Sequence, residues 1–346
     1  MSGNTFGRIF RLTTFGESHG KGVGGILEGC PAGLLIDEAM VRYHMSRRRP
    51  GQSSLTTTRN EDDEVEFLSG IFQSKTTGTP IGFLVRNKDQ RSDDYEPLKD
   101  IFRPGHADET WQQKYGIRDY RGGGRSSARE TLSRVIGGTI ARIYLSQHGI
   151  SIQAYVSSVK DVDLDKPYHE LNLDLTESNE VRCPDAEISV RMKAVIESAR
   201  DNGDSVGGTI TCVMRGLPAG LGEPVFDKIH ALLGHAILSI NAVKGFEIGD
   251  GFSTTKRFGS ENNLIPAGVY GGISSGEDMV CRVAFKPVST ISKKQLAKTV
   301  EGNEVELSAT GRHDPCVLPR AVVIVESMAA LVIADALLLS KAGTVS

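Results

Sequence analysis

The residues best equipped for chemistry fall in five short segments. The first is Gly16-Glu17-Ser18-His19-Gly20, a histidine set between glycines at the end of an apolar run. A literal G-x-G-x-x-G follows (Gly20, Gly22, Gly25), but residues 24–29 read as a strand where a dinucleotide fingerprint needs a helix. A Walker A loop fails too, one residue short and without its Ser/Thr. The second segment, Arg47-Arg48-Arg49-Pro50-Gly51, either complements a helix C-terminus with cations or clamps an anion with guanidinium forks. Three adjacent arginines diverge on a helix, so one or two of them reach a shared ligand. The third, Arg103-Pro104-Gly105-His106-Ala107-Asp108, presents a histidine on a Pro-Gly turn. It is either a capped turn or a histidine whose tautomer a nearby Asp fixes.

The fourth segment, 118–131, carries the strongest signal. Ser127 and Glu130 have capping-box spacing, so the Gly122-Gly123-Gly124 loop is expected to feed a helix N-terminus, where free N–H groups favour an anion. Arg121, Arg125 and Arg129 oppose the dipole of such a helix, a placement that an anionic ligand explains. In the fifth, Gly311-Arg312-His313-Asp314-Pro315-Cys316, the proline biases Asp314 to extended backbone; by itself this pair starts a turn or a helix. Glycine- or serine-bearing patches at 239–245, 271–276 and 286–290 either touch a ligand with backbone or make tight turns. Together these residues point to an enzyme acting on a phosphorylated, polyanionic small molecule. The reaction does not follow from them, and no metal-ligand spacing is present.

Four apolar stripes predict the helices that position these loops. Leu132, Val135, Ile136, Ile140 and Ile143 form one, stopped by Gly149. Ile188 to Ala199 forms a second, ending near Gly203. Phe226, Ile229, Leu233, Ala236, Ile237 and Ile240 form a third. Residues 321–339 form the fourth, nearly membrane length but interrupted by Glu326 and Asp335, so it reads as a buried core helix. A weaker helix runs from near Asp37 to before Pro50-Gly51. Alternating runs at 7–15, 65–72, 81–85, 150–159, 209–214 and 280–285 read as strands. They come in groups between helices, which argues for α+β with largely antiparallel sheets.

The 346 residues show no short-period repeat and no linker, and one domain over 1–346 is expected. Forty Lys and Arg against 43 Asp and Glu leave −3, and aromatics are 6%, which argues against a general nucleic-acid binder. Five scattered cysteines without a CxxC pair read as reduced thiols in a cytoplasmic protein, and residues 1–11 hold no apolar run suited to a signal peptide.

FGESHG at 15–20, RRRPGQ at 47–52, FRPGHAD at 102–108, YRGGGRSSARET at 120–131, GLGEPVFD at 220–227, INAVKGFEIGDGF at 240–252, GGISSG at 271–276 and GRHDPCV at 311–317 closely resemble the chorismate synthase family, in the family's order. The resemblance implies helices sandwiched between two largely antiparallel sheets, usually in a homotetramer. It implies an anti-1,4-elimination that turns 5-enolpyruvylshikimate 3-phosphate into chorismate and phosphate, requiring reduced FMN without net redox change. It assigns His19 as general acid toward the leaving phosphate. His106 stabilises the electron-rich flavin, and Asp314 accepts a proton from flavin N5. Substrate contacts carry over to Arg48, Arg49, Arg103, Ser127 and Arg129. Flavin contacts carry over to Arg125, Ser126, Ser127, Asn241, Ala242, Gly271, Lys286, Pro287, Val288, Ser289, Thr290 and Arg312. Many similar members have a basic residue where this chain has Ser54. Some members reduce their own flavin with NADPH; without a dinucleotide fingerprint this chain is expected to rely on an external flavin reductase. The alternative is a non-catalytic flavin- or phosphate-binding protein on the same scaffold.

Overall fold

The longest apolar stretch of the chain becomes its central helix. The computed structural model describes residues 3–52, 55, 63–88, 92–265, 268–308 and 314–343. The helices among them are α1 (Glu38–Arg48), α2 (Asp108–Tyr115), α3 (Thr131–Ser146), α4 (Ala186–Asp201), α5 (Ile229–Leu238), α6 (Gly259–Asn262) and α7 (Leu318–Gly343). One antiparallel sheet runs in the order Thr5–Phe6, Arg11–Gly16, Gly22–Glu28, Ile81–Arg86, Val65–Phe67. The other runs Val162–Asp163, Ser151–Val159, Gly208–Arg215, Met279–Phe285, Val243–Ile248, again antiparallel. α3 packs on both sheets and α7 on the second, with α1 and α5 beside α7, so the helical layer lies between the sheets. Gly138 lets α3 approach α7 closely: a Cβ there would sit 2.3 Å from Ser327 Cβ.

α7 is long and apolar enough to cross a membrane, but 89% of its most apolar window is buried inside this fold. Its two carboxylates are answered rather than stranded. Asp335 accepts the backbone N–H groups of Arg8, Ile9 and Phe10 at 2.9, 2.7 and 2.9 Å, which anchors the N-terminal segment. Glu326 accepts from Arg47 of α1, Arg142 of α3 and the backbone of Ala154. All five cysteines are buried and unpaired.

Several expected boundaries move. The run at 7–15 is strand only from Arg11, since the chain bends over 7–10 after Gly7 (φ +89°) and the short strand Thr5–Phe6 lies before it, and that at 65–72 divides at Gly70 (φ +79°). Phe226 lies outside α5 and is 90% exposed, so it does not belong to the buried stripe. The capping box does not form. Glu130 turns to Arg134 at 3.0 Å, Ser127 Oγ receives only Arg129 N at 3.4 Å, and a 3-10 turn at Ala128–Glu130 separates Ser127 from α3. The glycine loop therefore leads into short 3-10 turns and not into a helix N-terminus.

Between α1 and α3, His44 of α1 is 2% exposed, and its Nδ1 lies 2.9 Å from Thr139 Oγ1. Burial lowers its pKa to about 3, with the Arg142 and Arg47 charges adding to the effect and Glu326 opposing it. The unfolded chain therefore takes up the proton first, so stability is lost as pH falls from about 6.5 toward 3. Urea unfolding of the wild type at pH 7 and pH 5 should show a larger loss than the same pair of measurements on His44→Gln. Equal losses would contradict this reading.

Candidate active site

One tight turn separates two histidines. Gly122, Gly123 and Gly124 have φ of +62°, +84° and +53°, a backbone that side-chain-bearing residues rarely adopt. A Cβ on Gly122 would lie 2.2 Å from His19 Cε1; one on Gly123 would lie 3.0 Å from His106 Cε1 and 3.4 Å from Arg103 Nη2. Gly124 O accepts from Ser18 N at 3.2 Å, fastening the 16–20 loop to the turn. His19 is 6% exposed, with Nδ1 3.1 Å from Ser18 Oγ and its ring edge-on to Tyr95.

On the other side, Arg103 forks onto Asp108 through Nε (2.8 Å) and Nη2 (2.9 Å), and His106 Nδ1 lies 2.8 Å from the same carboxylate. Burial pushes the Asp108 carboxyl up, but hydrogen bonds from Arg103 and His106 outweigh it and hold the group well below the usual carboxylate range. The pairing of Ile101–Phe102 with Gln295–Thr299 fixes the strand that leads into Arg103. Gly105 O accepts from Lys286 Nζ at 2.6 Å and Ser289 Oγ at 2.7 Å, which joins the His106 loop to the 286–290 loop. Burial, with the Lys244 charge, lowers the Lys286 pKa. Ala242 O accepts Lys286 N at 2.9 Å, and Asn241 Nδ2 donates to Ser126 O at 3.1 Å. Segments 115 and 181 residues apart in the chain thus converge on one cluster.

A second group of cations lies beside His19. Arg48 donates to Ala128 O at 3.0 Å and Thr131 Oγ1 at 3.2 Å. Arg48 and Arg129 share the buried carboxylate of Asp63, at 3.5 and 3.1 Å. Arg129 also donates to Asn87 Oδ1, and Asn87 Nδ2 donates to the carbonyls of Glu17 and Gly20, which flank His19. Arg49 is half-buried at the C-cap of α1. Arg47 is committed to Glu326 and Glu177, and Arg121 pairs with Asp119 on the surface, so neither joins the cluster.

A sequence model of the chorismate synthase family matches residues 10–338. A chorismate synthase of Christiangramia forsetii is 56% identical over the full length of both chains, and one of Parabacteroides distasonis is 55% identical over 98% of each. A solved chorismate synthase structure superimposes with TM-score 0.76 at 32% identity, covering 97% of this chain and 94% of that one. The chain belongs to the chorismate synthase family. The β–α–β layering implied by the family motifs is the layering observed.

Two buried polar atoms without partners among the described residues bear on the flavin expected of a chorismate synthase. Arg125 Nη2 donates to Thr14 O at 2.9 Å and Asn4 Oδ1 at 3.1 Å, but its buried Nη1 has no hydrogen-bond partner among the described residues. Nor has Asn241 Oδ1, at the neighbouring position where Asn241 meets Ser126. Burial lowers the Arg125 pKa, with the Glu130 charge opposing it. Buried groups left unanswered are rare, so an unmatched donor and an unmatched acceptor here suit a polar, anionic cofactor. Of the remaining expected contacts, Val288 O accepts Ser205 Oγ at 2.7 Å, Pro287 is exposed and Thr290 half-buried. Asp314 pairs with Arg320, whose Nε also donates to Arg48 O at 3.0 Å, so Asp314 and Arg48 share a support. Gly271 sits at a hairpin turn whose neighbour, Gly272, accepts Ile229 N of α5; the described contacts of that hairpin run to α5 and the 218–221 turn, not to the cluster. Arg312 and Ser54 lie outside the described residues. Asp63 and Asn87 carry no motif: Asp63 lies inside the acidic run Glu61-Asp62-Asp63-Glu64, which resembles a solvated face, and Asn87 precedes an ordinary lysine.

Proposed function

We propose that this member of the chorismate synthase family converts 5-enolpyruvylshikimate 3-phosphate to chorismate and phosphate by anti-1,4-elimination, as a carbon–oxygen lyase acting on a phosphate ester. The observation that carries this reading is the glycine turn that touches His19 on one side and His106 with Arg103 on the other. Arg48, Arg49, Arg103 and Arg129 bind the phosphate and two carboxylates, with Ser127 beside them; guanidinium forks suit both anions. His19 gives a proton to the departing phosphate. Asp314 takes up the proton that the elimination releases. Reduced FMN would be held by Arg125, Ser126, Ser127, Asn241, Ala242 and the 286–290 loop; Arg312 and Gly271 are the further contacts that the family resemblance implies, Gly271 from a hairpin set on α5 and the 218–221 turn. When bound, it supplies an electron-rich ring that assists phosphate departure and is returned unchanged. Closely packed residues around it exclude water and fix geometry.

The non-catalytic reading is less favoured, because full-length relatives are named as the enzyme and His19, His106 and Asp314 are retained. Anaerobic incubation with substrate and chemically reduced FMN tests the reaction. Chorismate and phosphate should appear in equal amounts, and should not appear with oxidised FMN. Flavin binding without product would return the non-catalytic reading.

The same reading places the protein in the cytoplasm as a single domain over 1–346, and the contiguous core among the described residues supports the latter. It is monofunctional and takes FMNH2 from an external flavin reductase; NADPH-driven turnover by the purified protein alone would contradict this. The assembly is a homotetramer. Phe226, Phe252, Phe258 and Leu264, 78–90% exposed, are apolar surface suited to burial against another copy.

A further inference from the structure

We propose that Asp108 is a positioning residue: it holds His106 with the proton on Nδ1, leaves Nε2 as the working nitrogen, and with the same carboxylate orients Arg103. This rests on the substrate role proposed above for Arg103 and on the place beside the flavin that the family resemblance implies for His106. His106 Nδ1 lies 2.8 Å from Asp108 Oδ1 and 3.2 Å from Arg103 Nη2. A guanidinium offers only donors and an ionised carboxylate only acceptors. An unprotonated Nδ1 would accept from Arg103 but would set two lone pairs facing each other across the shorter contact. A protonated Nδ1 makes the shorter contact a charge-assisted hydrogen bond and leaves the longer one incidental. The geometry therefore selects the Nδ1–H form.

Asp108 cannot swing away from this task. Its Oδ2 accepts Arg103 N at 3.1 Å and Nε at 2.8 Å, and its Oδ1 accepts Nη2 at 2.9 Å. The residue is 4% exposed and opens α2, where the helix dipole favours a carboxylate. Arg118 Nη1, 3.9 Å from Oδ1, adds a second cation. The hydrogen bonds of Arg103 and His106 keep the carboxyl ionised against the push of burial. An imidazole anchored at Nδ1 presents Nε2 on its opposite side. One carboxylate thus couples an arginine assigned to substrate with the histidine assigned to flavin.

Solid-state 15N spectra of the full-length, 15N-histidine-labelled protein at neutral pH read the tautomer directly. The His106 lines are identified by their loss in His106→Gln. The wild type should show Nδ1 protonated. In Asp108→Asn the amide has one acceptor: with Oδ1 facing the Arg103 fork, Nδ2 must donate to His106, and the proton should move to Nε2. The kcat for chorismate formation should fall with it by about 10- to 100-fold, the effect of losing a histidine's orienting carboxylate at other sites. Asp108→Glu should recover the Nδ1–H lines and much of the rate. A wild-type His106 protonated on Nε2, a tautomer unchanged in Asp108→Asn, or a changed tautomer with full kcat would overturn the proposal. Full turnover in His106→Gln would instead strike the role assigned to His106, and the 15N lines would still decide whether Asp108 sets its proton.

Discussion

Gly122→Ala is expected to cut kcat/KM for chorismate formation by about 10²-fold or more while leaving a folded protein, since a displacement of about 1 Å at a reacting group costs that much. The added Cβ would stand 2.2 Å from His19 Cε1, 2.4 Å from its Nδ1 and 2.9 Å from Ser18 Oγ. The ring must move, because it is 6% exposed and backed by Tyr95. The left-handed backbone adds roughly 1–2 kcal/mol of strain on its own. Gly149→Ala separates the two effects: its φ is +72°, and nothing lies within 4 Å of the added Cβ. It should lose similar stability and keep its activity per folded molecule. Gly123→Ala should be milder than Gly122→Ala, because its closest contact, His106 Cε1, is at 3.0 Å. Steady-state kinetics on the three variants decide the matter; wild-type kcat/KM in Gly122→Ala would detach His19 from the reaction.

The second large effect is on stability. Glu326→Gln should destabilise the fold by about 3–5 kcal/mol, the usual result of removing one partner from a buried ion network. Glu326 is 3% exposed and binds Arg47, Arg142 and Ala154 N, tying α7 to α1, α3 and the second sheet. The variant leaves two cations in the interior with a neutral acceptor. Burial alone would raise the Glu326 pKa, but the Arg47 and Arg142 charges hold it down to about 2. The network's contribution is therefore complete above about pH 4.5 and is lost as pH falls toward 2. Urea unfolding at pH 7 measures the loss; a change under about 1 kcal/mol would show that this carboxylate is not what secures the helical layer. The effect bears on function because Arg48 follows Arg47 at the end of α1, and its carbonyl is held by Arg320 of α7.

Local signals and long-range ones differed in how far they could be read. The stripes at 132–143 and 321–339 became α3 and α7 because a burying face is written into a single helix. The glycines at 122–124 announced a turn, and the flanking arginines announced an anion. What no local pattern contains is which cation meets which carboxylate. Arg47 and Arg48 are adjacent, yet one joins Glu326 in the core and the other shares Asp63 with Arg129. The Ser127–Glu130 capping box was a sound local expectation that lost to a competing partner, Arg134. Phe226 fitted a helical period but lies before α5, which begins at Ile229. Asn87, which links Arg129 to the carbonyls around His19, gains its role only when the strand Ile81–Arg86 is paired in the sheet.

The most direct test of the central claim is to count chorismate formed per reduced flavin oxidised, in anaerobic stopped-flow mixing of protein, FMNH2 and 5-enolpyruvylshikimate 3-phosphate. Many chorismate molecules per flavin, each matched by one phosphate and with the flavin still reduced at the end, is the predicted result. Flavin oxidised one for one with product, or flavin bound with no product formed, would contradict the account.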